Sequence, residues 1–117
     1  MEGVDVLMGG GAENFQACAD GCDSFEDQDY YQLFGDRGYS VVQDKDELDG
    51  VDPSKKLLGI FSTGNMDKWL DRNVFPENTK GNKNSPKNDG TDADNQPGLK
   101  AMTTKAIEGM FLCRTRV

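Results

Sequence analysis

Among the residues able to do chemistry, the first fact is an absence: the chain contains no histidine. No Ser-His or Cys-His pair can be assembled from it, and no imidazole is available to a metal. A serine occurs in Ser62-Thr63-Gly64-Asn65, directly after the apolar run Lys56 to Phe61. That places it at the carboxyl end of a predicted strand, where α/β proteins tend to put function. Lys68 is the substitute base nearest in sequence, and nothing else nearby would activate the hydroxyl. On these residues the chain alone is not expected to be a complete hydrolytic enzyme.

The acidic residues fall in two stretches, Asp20, Asp23, Glu26, Asp27 and Asp29, then Asp89, Asp92 and Asp94. Calcium takes six to eight oxygens at set loop positions. Neither stretch matches the Asp-x-Asp-x-Asp-Gly pattern, since Ser85 and Lys87 stand before Asp89-Gly90. Both are read as solvated acidic loops. Gly9-Gly10-Gly11 could bring backbone amides to an anion. Its spacing fits neither Gly-x-Gly-x-x-Gly nor Gly-x-x-x-x-Gly-Lys-Ser/Thr. The preferred reading is a strand exit that needs positive φ or close backbone packing. Cys18 and Cys22 bracket Ala19-Asp20-Gly21, a loop that a disulfide could close; free thiols are the other main reading. A zinc pair lacks two further ligands. Cys113 is left over.

Composition narrows the classes further. The 117 residues suit a single unit, and 14 glycines favour strands and turns over a helical bundle. A net charge of −8 excludes the basic face that nucleic-acid phosphates or anionic membranes require. No apolar run reaches the roughly 20 residues of a membrane span. The first residues lack the basic-then-apolar pattern of a signal peptide.

The elements that must position these groups follow from periodicity. Val4 to Met8 predicts a buried strand running into the glycine turn. Residues 16–29 read as loop. Tyr30, Leu33 and Phe34 recur at i, i+3, i+4 and predict a helix from Asp29 to a stop at Gly38, followed by a strand Tyr39 to Val42. Asp44 to Leu48 predicts a helical turn with Asp44 as N-cap and Glu47 completing a capping box. Lys56 to Phe61 predicts a strand buried on both faces. Trp69, beside Met66 and Leu70, reads as packing. Residues 76–98, with three of the four prolines, predict a long polar loop or disordered excursion. From Leu99 a helix is predicted with Leu99, Met102, Ala106, Ile107 and Met110 on one face. The order predicts a mostly parallel α/β sheet.

Four blocks, in order, resemble the alkaline phosphatase family. They are Val4-Asp5-Val6-Leu7-Met8-Gly9-Gly10-Gly11 with Phe15; Gly38-Tyr39-Ser40-Val41-Val42; Leu57-Leu58-Gly59-Ile60-Phe61-Ser62 with Gly64-Asn65-Met66; and Pro97-Gly98-Leu99-Lys100-Ala101-Met102-Thr103-Thr104-Lys105-Ala106-Ile107-Glu108. The resemblance covers about residues 3–108. It implies an α/β sandwich with a mostly parallel sheet and flanking helices, of which residues 1–117 would be a single incomplete segment. Residues 76–97 would be the long polar loop, and residues 109–117 a divergent tail. Gly109-Met110-Phe111-Leu112 in that tail is similar to the family's Gly-Phe-Phe-Leu strand, or else a chance echo.

The family hydrolyses phosphate monoesters with a serine in an Asp-Ser-Ala motif, an arginine on the phosphate, two zinc ions and a magnesium. Neither Asp-Ser-Ala nor the family's Thr-His-Ala segment occurs here, and the three zinc-site histidines are missing. The resemblance therefore carries no catalytic, cofactor-binding or metal-binding residue onto this chain. It implies a scaffold segment whose partner is the remainder of the parent polypeptide, inactive alone and with no metal of its own. The parent would be secreted or periplasmic, as exported members of the family are, and a homodimeric parent is compatible with it. The alternative reading is a truncated, non-catalytic protein that binds a cation or partner through its acidic loops.

Overall fold

The computed structural model describes residues 3–16 and 23–114, with side chains through Leu112. Within these residues the chain forms three strands, β1 (Val6–Gly9), β2 (Ser40–Val42) and β3 (Leu57–Ile60), and four helices. The helices are α1 (Tyr30–Asp36), α2 (Lys45–Asp49), α3 (Trp69–Asn73) and α4 (Leu99–Arg114). Short 3-10 turns at Ala12–Asn14, Phe25–Asp27 and Pro76–Asn78 lie between them. The sheet order is β1-β3-β2, with β3 parallel to both neighbours. Leu57 pairs with Val6 on one side and Ser40 on the other. The architecture is α/β, as the strand and helix order predicts.

A central parallel strand must be apolar on both faces. β3 is buried along its whole length, and its alternating residues divide the core in two. Leu57 and Phe61 join Val42 and Leu48 on one face, packed against Val6, Met8 and Met102. Leu58 and Ile60 join Ala12 on the other, under Phe15, Tyr31, Phe34 and Tyr39. Gly59 belongs to the first face. A β-carbon there would sit 2.6 Å from the Phe61 ring and 3.0 Å from Met8, so the ring lies in the space that a side chain would take.

Local chemistry sets the element ends. Asp29 caps α1 by accepting from the Gln32 amide at 3.1 Å. At the other end Gly38 adopts φ +86°, and the Gly38 and Tyr39 amides bond the carbonyls of Gly35 and Phe34. This is a Schellman closure, completed by the Phe34 and Tyr39 rings 4.8 Å apart. Asp44 accepts from the Glu47 amide at 2.8 Å, and Glu47 reaches back to the Gln43 amide at 2.7 Å. The return bond of this capping box falls one residue earlier than the usual N-cap amide.

The expectations for β1 and Trp69 need correction, and the readings of α4 and of Gly109 to Leu112 are narrowed. β1 is an edge strand, not a buried one: Leu7 is 41% exposed, because among the described residues β1 pairs on one side only. The apolar stripe of α4 is largely uncovered, with Leu99 77% and Met110 51% exposed; among the described residues of the stripe, Met102 is the one packed onto the β3 core. Gly109 to Leu112 continue α4 and form no strand. Extending α4 through this stretch satisfies its amides within the helix. Trp69 is 62% exposed rather than packed. The possible Cys18 to Cys22 bridge lies outside the described residues.

Candidate functional site

The carboxyl end of the sheet is the place to look for function in this architecture. Three segments meet there: the β1 exit at Gly10–Asn14, the β3 exit at Ser62–Asp67, and the returning stretch 79–97. The β1 exit is pinned to the β3 exit. The Gly11 amide bonds the carbonyls of Ser62 at 3.0 Å and Gly64 at 2.9 Å, Ala12 bonds Ser62, and Glu13 bonds Thr63. Gly11 sits at φ +100°, and a β-carbon on Gly10 would overlap the Gly64 carbonyl. The amides from Gly11 to Glu13 are thus committed to protein carbonyls. The glycine run is a close-packed strand exit, not an anion cradle.

Ser62 lies at the same junction and is fully buried. Its hydroxyl donates to the Asn65 carbonyl at 2.9 Å, closing the turn after β3. Thr63 donates to the Ser85 carbonyl at 2.6 Å. Lys68 is the N-terminal flanking residue of α3, without a side-chain cap bond. The geometry ties Ser62 into the scaffold, and among the described residues its hydroxyl bonds a backbone carbonyl and no base.

Two acidic residues of the second stretch, Asp89 and Asp92, bond within the loop itself. Asp92 accepts from the Gly81 amide at 2.7 Å and the Lys83 amide at 2.8 Å, which hold its carboxyl below the usual carboxylate range. Asp89 accepts from the Thr91 hydroxyl at 2.6 Å and amide at 3.0 Å, with the same effect. In the first stretch Asp29 caps α1, and Glu26 and Asp27 occupy left-handed backbone at φ 56° and 52°. Asp20 lies outside the described residues. Among the described residues no three His, Cys, Asp or Glu side chains gather as metal ligands.

The residue that sequence reasoning missed is Asp67. Its carboxylate accepts from Asn82 at 3.0 Å, Asn84 at 2.9 Å and Gln96 at 2.6 Å, and its amide donates back to Gln96 at 2.9 Å. Arg72 of α3 adds bonds to the carbonyls of Gln96 and Pro97 at 2.7 and 3.2 Å. No local pattern marks these residues, since 15 to 29 positions separate the partners. Beside this knot a cleft of about 260 Å³ is lined by Gln43, Asp44, Phe61, Lys87, Asp92 and Asn95, among others.

The molecule is therefore an α/β protein whose described sheet end is closed by its own hydrogen bonds. The sequence profile of one family, alkaline phosphatase, matches residues 1–113. The chain belongs to the alkaline phosphatase family. It is 31% identical over 106 residues to streptomycin-6-phosphate phosphatase of Streptomyces griseus, covering 89% of this chain and 23% of that protein. It is 37% identical over 70 residues to alkaline phosphatase 3 of Bacillus subtilis strain 168, covering 59% of this chain and 13% of the relative. The crystal structure of Thermus thermophilus alkaline phosphatase superposes with a TM-score of 0.68 at 26% identity, over 96% of this chain and 19% of that one. The chain thus spans less than a quarter of the length of these relatives. No helix among the described residues is long and apolar enough to cross a membrane.

Proposed function

We propose that this chain is a scaffold segment of an alkaline phosphatase whose complete form hydrolyses phosphate monoesters, and that it is inactive alone. One observation carries the reading: the family match runs over residues 1–113 while the matched stretches cover only 23% and 13% of the two curated relatives. The uncovered stripe of α4 and the single-sided pairing of β1 and β2 support it, since a larger sheet would cover both.

By family resemblance the complete enzyme takes two zinc ions and a magnesium, which would activate the nucleophile and neutralise developing charge. The described residues do not fit such a site. The chain has no histidine, and the described carboxylates are dispersed over helix caps and loop turns. What the segment supplies is position: β3, clamped between β1 and β2, fixes the loops at the sheet's carboxyl end.

A chimera tests this. Residues 3–112 are exchanged for the matching stretch of the Thermus thermophilus enzyme, and release from a chromogenic phosphate ester is followed with zinc and magnesium present. The chimera is expected to fold and to turn over, and the isolated chain to release nothing. Metal-dependent release by the isolated chain, or a chimera that cannot fold, would overturn the reading.

A further inference from the structure

The stretch from Thr79 to Pro97 is polar, yet both of its limbs converge on one side chain. Asn82 and Asn84 reach Asp67 from the outgoing limb, and Gln96 reaches it from the returning limb. Two of the three amides have fixed orientations. The Asn84 carbonyl oxygen accepts from the Ala93 amide at 3.0 Å, and the Gln96 carbonyl oxygen accepts from the Asp67 amide at 2.9 Å. Their NH₂ groups must therefore face the carboxylate, so the cluster is a set of donors around an anion and not a cation site.

We infer that residues 79–97 form a strap latched over the carboxyl ends of β2 and β3 by the Asp67 carboxylate. The reading does not depend on the scaffold proposal. Under the strap lies Phe61, with no exposure, and the strap's Ser85 and Pro86 are buried against the body. Of the remaining ties one is charged, the Arg72 guanidinium donating to the Gln96 and Pro97 carbonyls of the returning limb, and the others are neutral. Thr63 donates to Ser85, Tyr31 and Gln43 donate to the Pro86 carbonyl at 3.1 and 3.0 Å, and the Lys45 amide bonds Asn95 at 2.9 Å. Bonds to a charged acceptor are about twice as strong as neutral ones. Asp67 alone of these groups joins both limbs to the β3 exit, so its loss loosens the outgoing limb while Arg72 still holds the returning one. Asp92, bonded to Gly81 and Lys83, holds the outgoing limb in shape whether or not the latch is closed.

Limited trypsin digestion of the full chain tests the latch. Cleavage after Lys80, Lys83 and Lys87 in the strap is compared by mass spectrometry with cleavage after Lys56, at the start of β3. Asp67→Ala should raise strap cleavage about tenfold, the loss expected when donors lose a charged acceptor, with Lys56 unchanged. Asn82→Ala, which removes one exposed donor, should raise it about two- to threefold by the same reasoning. If Asp67→Ala unfolds the chain and all sites rise together, Asn82→Ala decides: a rise confined to the strap upholds the latch. An unselective rise or none in Asn82→Ala overturns it. So does wild-type strap cleavage as fast as that of a free peptide of residues 76–98.

Discussion

Gly10 lies directly against the carbonyl of Gly64, so close that a β-carbon at residue 10 would occupy the same space as that oxygen. The contact joins the exit of β1 to the exit of β3, where the Gly11 amide also bonds the carbonyls of Ser62 and Gly64. Gly10→Ala is expected to destabilise the chain by about 3 kcal/mol, since either the β3 exit moves or those bonds are lost. Gly9 has open space around its α-carbon, and Gly9→Ala should cost less than about 1 kcal/mol. Chemical denaturation of the two variants side by side checks the contrast. Equal losses would mean that close approach is not what Gly10 provides.

The α4 stripe makes a prediction about handling the chain by itself. Ile107 and Phe111 are 49% and 71% exposed, and contiguous apolar surface of this kind drives association. Isolated chain should self-associate, and Ile107→Lys with Phe111→Lys should reduce this in sedimentation velocity. The folding free energy should change by under about 0.5 kcal/mol per substitution, because neither side chain is enclosed. Monomeric wild-type chain that unfolds cooperatively would contradict the prediction.

Acid should loosen the strap internally through Asp92. Its carboxyl is held low by the amides of Gly81 and Lys83, so the ionised form is the one the fold favours. A carboxylate depressed on folding contributes stability above its unfolded pKa, and the contribution is lost as pH falls through the folded value. Amide resonances of Gly81 and Lys83 should therefore shift with a midpoint below the ordinary carboxylate range. In Asp92→Asn that transition should vanish, and its persistence would assign the titration elsewhere.

At the alkaline end the relevant group is Tyr31. Burial beneath the strap pushes its hydroxyl up to about 12, partly offset by a side-chain hydrogen bond to Gln43. For a pKa raised on folding, stability is fully present below the unfolded value near 10 and declines as pH rises toward 12. Tyr31→Phe removes the ionisable group, so its stability should fall less steeply over that window. Parallel slopes in a series of denaturant titrations from pH 9 to 12 would refute this.

How much of this was legible beforehand differs by element. β3 announced itself because Leu57, Leu58 and Ile60 form a continuous apolar run, which is the signature of burial on two faces. The ends of α1 and α2 were legible because Asp29, Gly38 and Asp44 act within three or four residues of themselves. The edge position of β1 was not, because its apolar pattern is the same whether or not a strand pairs beyond it.

The sequence by itself determined the class of fold, the local caps, the family and the lack of histidine chemistry, all properties of residue type and short-range spacing. Tertiary structure alone decided that Gly10 packs against the Gly64 carbonyl, that Ser62 closes a turn and that Asp67 gathers three amides from across the chain. It also decided that α4 runs on through Gly109 to Leu112 and leaves its stripe bare. The physical reason is the same in each case. A local cap is fixed by backbone geometry within one turn, whereas the partner of a long-range polar group is chosen by how the sheet and its returning loop pack.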